Sequence, residues 1–205
     1  MSDDGIGRIL VASLHQSIGD ALPMRLEYYE HWLSPMGLKE GRAGRAPLGA
    51  VLSFLRLEGQ EVYDQVMNGA GRYSAQWHHQ QSGPAPGLLR LLPHRVRTRL
   101  ALGQCRRLLQ SAFTPATVTV SVRRGVGTVA VTGAIFCVLR DTWPWPTCRY
   151  FAAAAEQHLA LQGLRTAVRI TGCQGLGDGA CTLQVTFGRP DDPPQPETSP
   201  RQEAA

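Results

Sequence analysis

At Pro115 the hydrophobic period of the chain changes from about 3.6 residues to 2, and this switch divides it into a helical half and a strand-bearing half. Before the switch, apolar residues recur at three- and four-residue steps in five stretches. Ile6, Ile9, Leu10, Leu14 and Ile18 form the first stripe, and Leu22, Leu26, Tyr29 and Leu33 form the second, stopped by Ser34-Pro35. Pro47 suits a helix start and introduces Leu48, Val51, Leu52 and Leu55. Beyond Gly59 come Val62, Val66, Ala70, Tyr73 and Trp77, and a fifth stretch over about 94–112 carries Val96, Leu100, Cys105, Leu108 and Leu109. After the switch, Val118, Val120 and Val122 alternate with Thr117, Thr119 and Ser121. A turn at 123–127 leads to a longer apolar strand over 128–139. Pro144 and Pro146 then separate this hairpin from a helix over about 148–161, which Gly163 stops, and strands at 166–171 and 181–187 make a second hairpin. The expected fold class is α+β, with helices packed on one face of a four-stranded antiparallel sheet in the order ααααα-ββ-α-ββ.

A chain of 205 residues, 43% hydrophobic, is long enough for one buried core and short for two. The expectation is one domain over 1–188 and a disordered tail over 189–205, where proline and charge replace large apolar residues. No apolar run approaches the roughly 18 residues of a membrane span, and MSDDGIGRIL lacks the pattern of a secretory signal, so a cytoplasmic location is expected. The formal charge of +5 is almost all arginine, Lys39 being the one lysine. Arg95, Arg97, Arg99, Arg106 and Arg107 are spread round one helix without a DNA-reading motif, which reads as a solvated surface and predicts no nucleic-acid partner.

Five cysteines, an odd number, argue against a disulfide framework and for reduced thiols or metal ligands. Cys148, Cys173 and Cys181 stand in a C-x24-C-x7-C arrangement around the last helix and hairpin. They serve either as small buried packing residues or as thiolates converging on one ion. The turn 175–179 is glycine-rich but joins antiparallel strands and leads into no helix, so it reads as a hairpin turn rather than a phosphate loop. His78-His79 reads as a solvated helix end, because neighbours on a helix point about 100° apart. No nucleophile elbow, H-E-x-x-H helix or dinucleotide fingerprint occurs, so an independent enzyme is not expected. Tyr29, Trp32, Tyr73, Trp77 and Phe136, with Tyr28 beside the first, are either core aromatics or the lining of a ligand pocket.

The element order, with cysteine, helix, strand, cysteine, glycine-rich turn, cysteine and closing strand over 148–187, resembles the 4-vinyl reductase domain, a bacterial-type family sharing its fold with the TRAPP vesicle-tethering subunits. The resemblance implies a module that holds a small hydrophobic ligand, aromatic or lipid-like, in a pocket among these aromatic residues. It also implies a zinc ion near that pocket, bound in the aromatic-sensing members by three cysteines and one glutamate. Cys148, Cys173 and Cys181 match the cysteine positions, while the place of the glutamate, three residues before Cys173, holds Ile170. Glu156, eight residues from Cys148 on one helix, is about 12 Å away and too far to share an ion. Asp178, or water, is therefore the expected fourth ligand. Two other readings follow from the same resemblance: a homodimeric structural or assembly protein, and an accessory protein in tetrapyrrole modification of the bacteriochlorophyll type.

Overall fold

The computed structural model describes residues 5–33, 44–82, 93–137 and 143–188. Among them are six α-helices: α1 (Arg8–Ala21), α2 (Leu26–Leu33), α3 (Arg45–Leu57), α4 (Gln60–Ser82), α5 (His94–Ala112) and α6 (Arg149–Leu161). Four strands, β1 (Thr117–Arg123), β2 (Val126–Thr132), β3 (Thr166–Gly172) and β4 (Cys181–Phe187), form one antiparallel sheet in the order β1-β2-β4-β3. The expected α+β class and element order are those observed. The 189–205 tail lies outside the described residues.

The sheet buries Val118, Val129, Val131, Leu183 and Val185 against the helices, while Thr117, Thr119 and Ser121 of β1 face outward. Two sequence-based expectations change here. The β1–β2 connection is a two-residue turn, since Arg123 pairs with Val126, and Arg124 and Gly125 both have positive φ. The second strand stops at Thr132 instead of running to 139, because Gly133 turns left-handed at φ 71° and Ala134–Cys137 folds into a turn closed by Cys137 N–H on the Ala134 carbonyl at 2.9 Å. That early stop carries Cys137 off the sheet.

Helix α4 is the centre of the helical layer, gripped between α1 and α6. Its buried stripe is Tyr63, Val66, Met67, Ala70 and Ser74, displaced from the expected line that ran through Val62, Tyr73 and Trp77. The displacement arises because α4 buries two flanks, so the small residues Gly69, Ala70 and Gly71 meet the neighbouring helices while Tyr73 and Trp77 stack on each other at 5.5 Å on the half-buried side. A chain of hydroxyls crosses this layer: Tyr150 donates to Ser74, Ser74 to Ser13 and Ser13 to the Leu10 carbonyl, at 2.7, 2.7 and 2.8 Å. All three groups are buried, so each bond replaces one that water would otherwise make. On α5 the buried side holds Thr98, Ala101, Leu102, Cys105, Leu108 and Leu109, whereas Val96 and Leu100, expected in the core, are exposed.

His158 of α6 is 1% exposed, and neither ring nitrogen has a partner. Burial holds its pKa down at about 4, helped by His78, whose ring lies 6.1 Å away, and by His79. His78 is thus half-buried against α6 rather than at a solvated helix end. An unfolded histidine titrates near 6.5, so between 6.5 and 4 the unfolded chain binds the proton more readily. The stability present above pH 6.5 should therefore fall on acidification, by about 2 kcal/mol at pH 5 from this group. Urea titrations at pH 7.5 and pH 5 should show a smaller acid loss in His158→Leu than in the wild type; an identical loss would assign the pH dependence elsewhere.

Candidate metal centre

Four thiols converge behind the sheet: Cys137 in the turn after β2, Cys148 at the N-cap of α6, Cys173 after β3 and Cys181 opening β4. Their sulfurs all lie within 4.8 Å of one another, with Cys137 3.3 Å from Cys181 and 3.6 Å from Cys173. Four sulfurs about 2.3 Å from one ion at tetrahedral angles stand roughly 3.8 Å apart, and the observed spacings bracket that figure. Cys148, Cys173 and Cys181 are buried and Cys137 partly so. All five cysteines are free thiols, Cys105 lying apart in the core, where burial pushes its pKa up to about 12.

The cluster is too crowded for four independent thiols. Hydrogen bonds among the sulfurs, led by the Cys137 side chain, hold Cys173 far below the ordinary thiol range, and a bond from Cys148 lowers Cys137. Cys148 and Cys181 are pushed up, each chiefly by its hydrogen bond to Cys137. The four sulfurs thus share their protons as one set, and a soft divalent cation bound among them would displace those that remain. A tetrahedral ion held by four sulfurs keeps no open position, so this donor set fits a structural metal rather than a catalytic one.

Asp178 is not the fourth member. Its carboxylate folds back and accepts the Cys173 backbone N–H at 2.7 Å, while the Cys173 carbonyl accepts the Leu176 N–H at 2.9 Å. A short acidic side chain in this tight turn reaches its own backbone more readily than the sulfurs. The fourth sulfur of the cluster comes from another element, in Cys137. Ile170 itself is on β3, paired with Leu183. The available signal for Cys137 was Gly133, which interrupts the alternation of β2 and ends the strand before the cysteine.

Two buried side chains fix the loops that carry the thiols. Arg56 of α3, 2% exposed, donates to the carbonyl of Phe136, the residue before Cys137. Tyr63 of α4 donates to the carbonyl of Thr147, the residue before Cys148, at 2.7 Å. Burial and the neighbouring thiols raise the Tyr63 pKa, so it remains a donor throughout the working pH range. The Thr147 hydroxyl lies 3.3 Å from the Cys137 sulfur and 4.0 Å from that of Cys173. A Cβ on Gly175 would sit 3.0 Å from that hydroxyl and 3.6 Å from the Cys173 sulfur, so the glycine-rich turn leaves room for the cluster. Tyr63→Phe should strand a buried carbonyl, destabilise by about 1–3 kcal/mol, and weaken metal retention against a chelator roughly tenfold or more. Unchanged chelator resistance would deny Tyr63 a role at the thiols.

The aromatic residues do not share one pocket. Tyr29 is buried, its hydroxyl 3.4 Å from Glu58, and Phe136 is buried beside Tyr150 and Phe151 with ring centroids 5.0 and 5.2 Å away. Trp32 is part-exposed against His31. Tyr73 borders a groove of about 470 Å³ with Asp20 and Arg72, its hydroxyl on Asp20 at 2.6 Å. Apolar surface instead gathers between α2 and α3, where Met24, Tyr28, Phe54 and Leu57 line a groove of about 610 Å³ with Arg25 and Glu58 paired at its rim. Tyr28, not Tyr29, fronts this groove, because Tyr29 turns inward to hold Glu58 from behind.

No protein-family model and no curated protein matches the chain. Among solved structures it is similar to the phenol-responsive sensory domain of the transcription activator PoxR with phenol, at TM-score 0.45 and 18% identity over 70% of this chain and 74% of that one. It is also similar to trafficking protein particle complex subunit 3 from Naegleria fowleri, covalently bound to palmitic acid, at TM-score 0.46 and 14% identity over 80% and 92% of the two chains.

Proposed function

We propose that this protein is a non-catalytic binding module that holds one structural zinc ion in Cys137, Cys148, Cys173 and Cys181 and takes up a small hydrophobic ligand, aromatic or lipid-like. The mutual approach of the four sulfurs within 4.8 Å carries the reading. Zinc bound there would cross-link four separate segments of the chain. Arg56 and Tyr63 tie the same segments to α3 and α4, so the thiols and the helical layer stabilise one another. Reduced thiols in this number suit a cytoplasmic location. No described helix is long and apolar enough to cross a membrane.

For the ligand, the apolar groove between α2 and α3 is the supporting observation. Its volume of about 610 Å³ suits a small molecule, and Tyr28 and Phe54 meet edge to face at 5.4 Å on its wall. The same surface favours a second reading, self-association into a homodimer, because Met24 is 95% exposed and Leu57 73% exposed.

Native mass spectrometry of protein purified without added metal or chelator tests both. One zinc per chain, together with a small apolar molecule lost on denaturation, is the expected result. A chain without metal, or with iron in its place, would overturn the zinc assignment. A bare dimer that binds neither phenol nor a fatty acid would transfer the groove to the assembly reading.

A further inference from the structure

No aspartate or glutamate occurs between Asp64 and Asp141, an interval that holds ten arginines. The fold gathers part of this charge at one place. The first turns of α5 meet the β1–β2 hairpin tip and the end of β4 around a groove of about 490 Å³, walled by Val122 and Phe187 and rimmed by His94, Arg95, Arg99 and Arg124. No carboxylate lines it, and among the described residues none of these arginines pairs with an acid.

Two of the arginines occupy positions that work against a cation, and the third sits in a turn position that seldom takes a long side chain. Arg95 and Arg99 lie one helical turn apart, where like charges repel. Arg95 stands in the first turn of a 19-residue helix, the positive end of its dipole, with no acidic residue in that turn. Arg124 is the one non-glycine residue with positive φ among those described, at 49° in a turn position that favours Asn, Asp or Gly. Like-charge repulsion and the helix dipole thus act on one groove whose walls are apolar, and an anion would relieve both. Guanidinium groups match the planar and tetrahedral oxygens of carboxylate and phosphate. Val122 and Phe187 would cover an attached hydrocarbon, and the His94 and Phe187 rings meet edge to face with centroids 6.5 Å apart.

We propose that this groove binds a small organic anion, a phosphate or carboxylate joined to an apolar group, through Arg95, Arg99 and Arg124. The site is separate from the thiol cluster and from the α2–α3 groove, and it stands whether or not those assignments do.

The test is calorimetric titration of the full chain with octyl phosphate below its micellar concentration, inorganic phosphate, and phosphatidylglycerol vesicles. Octyl phosphate should bind saturably, at least tenfold tighter than inorganic phosphate, and more weakly as salt rises. Arg99→Gln and Arg124→Gln, both exposed and expected to fold, should each weaken it at least tenfold. Arg106→Gln, on the same helix outside the groove, should leave it unchanged. Absence of saturable binding, or equal loss in Arg106→Gln, would overturn the site. Tight vesicle binding that depends on Arg106 as much as on Arg99, without binding of free octyl phosphate, would overturn it in favour of a membrane-facing surface.

Discussion

Cys137→Ser is expected to abolish stoichiometric metal and lower the melting temperature by roughly 10 °C or more. The variant removes one of four sulfurs that lie within 4.8 Å of one another and leaves a harder, more weakly acidic hydroxyl in its place. Loss of the ion would release the turn after β2, the start of α6 and both sides of the β3–β4 turn. A structural metal site in a chain of this size contributes several kcal/mol, and each kcal/mol shifts the midpoint by about 2–4 °C. Metal analysis and thermal melts of Cys137→Ser, Cys173→Ser and Asp178→Asn should separate the possibilities. Both cysteine variants should lose metal to a similar extent, whereas Asp178→Asn should retain it and lose only part of the bond to the Cys173 amide. Full metal retention in Cys137→Ser would show that three sulfurs suffice, and loss in Asp178→Asn would return the aspartate to the site.

Gly71→Ala should be nearly as damaging, although it touches no thiol. A Cβ there would lie 2.5 Å from the Tyr150 carbonyl oxygen and 2.8 Å from the Ala154 nitrogen, both backbone atoms that cannot swing aside. Helix α4 would have to move away from α6, disturbing the Tyr150–Ser74 bond and the helix whose N-cap is Cys148. Overpacking of this kind costs about 1–3 kcal/mol or more, against less than about 1 kcal/mol gained from alanine's better helix propensity. We expect a net loss of about 2 kcal/mol or more in urea denaturation, with weaker metal retention alongside. Gly103→Ala on α5 is the matched control, because a Cβ there meets nothing within 4 Å. It should be neutral or slightly stabilising. Equal stability of the two variants would mean that the α4–α6 approach is not tight.

Much of this molecule is legible in its sequence because periodicity is a local property. The segment around β1 alternates because one face of the strand is buried, and α3 carries Leu48, Val51, Leu52 and Leu55 on one side because one side meets the core; all four are buried. The hairpin cysteines Cys173 and Cys181 are close in sequence, and Cys148 precedes the helix that leads into them, so their convergence is readable from a short stretch of chain. Where an element has one buried face, pattern and structure mostly agree, although on α5 Val96 and Leu100 turn outward. Helix α4 departs from this rule: its two flanks are both covered, so glycine and serine at the interfaces carried no hydrophobic signal and the larger Tyr73 and Trp77 drew the stripe to the wrong side.

The fold class, the order of the elements and the placing of Cys148, Cys173 and Cys181 about the last helix and hairpin were readable from the chain, since each depends on residues within one or two neighbouring elements. Only the tertiary structure decided the fourth thiol. Cys137 lies 36 residues from Cys173 and 44 from Cys181, and its apolar neighbours Ile135 and Phe136 read as a continuation of β2. It reaches the cluster because Gly133 turns the chain and Arg56, 80 residues before Phe136, anchors the turn from α3. The aromatic residues were separated by the same cause. Which of two adjacent tyrosines faces a groove depends on what packs behind them, and Glu58, 29 residues beyond Tyr29, draws that side chain inward while Tyr28 faces the groove.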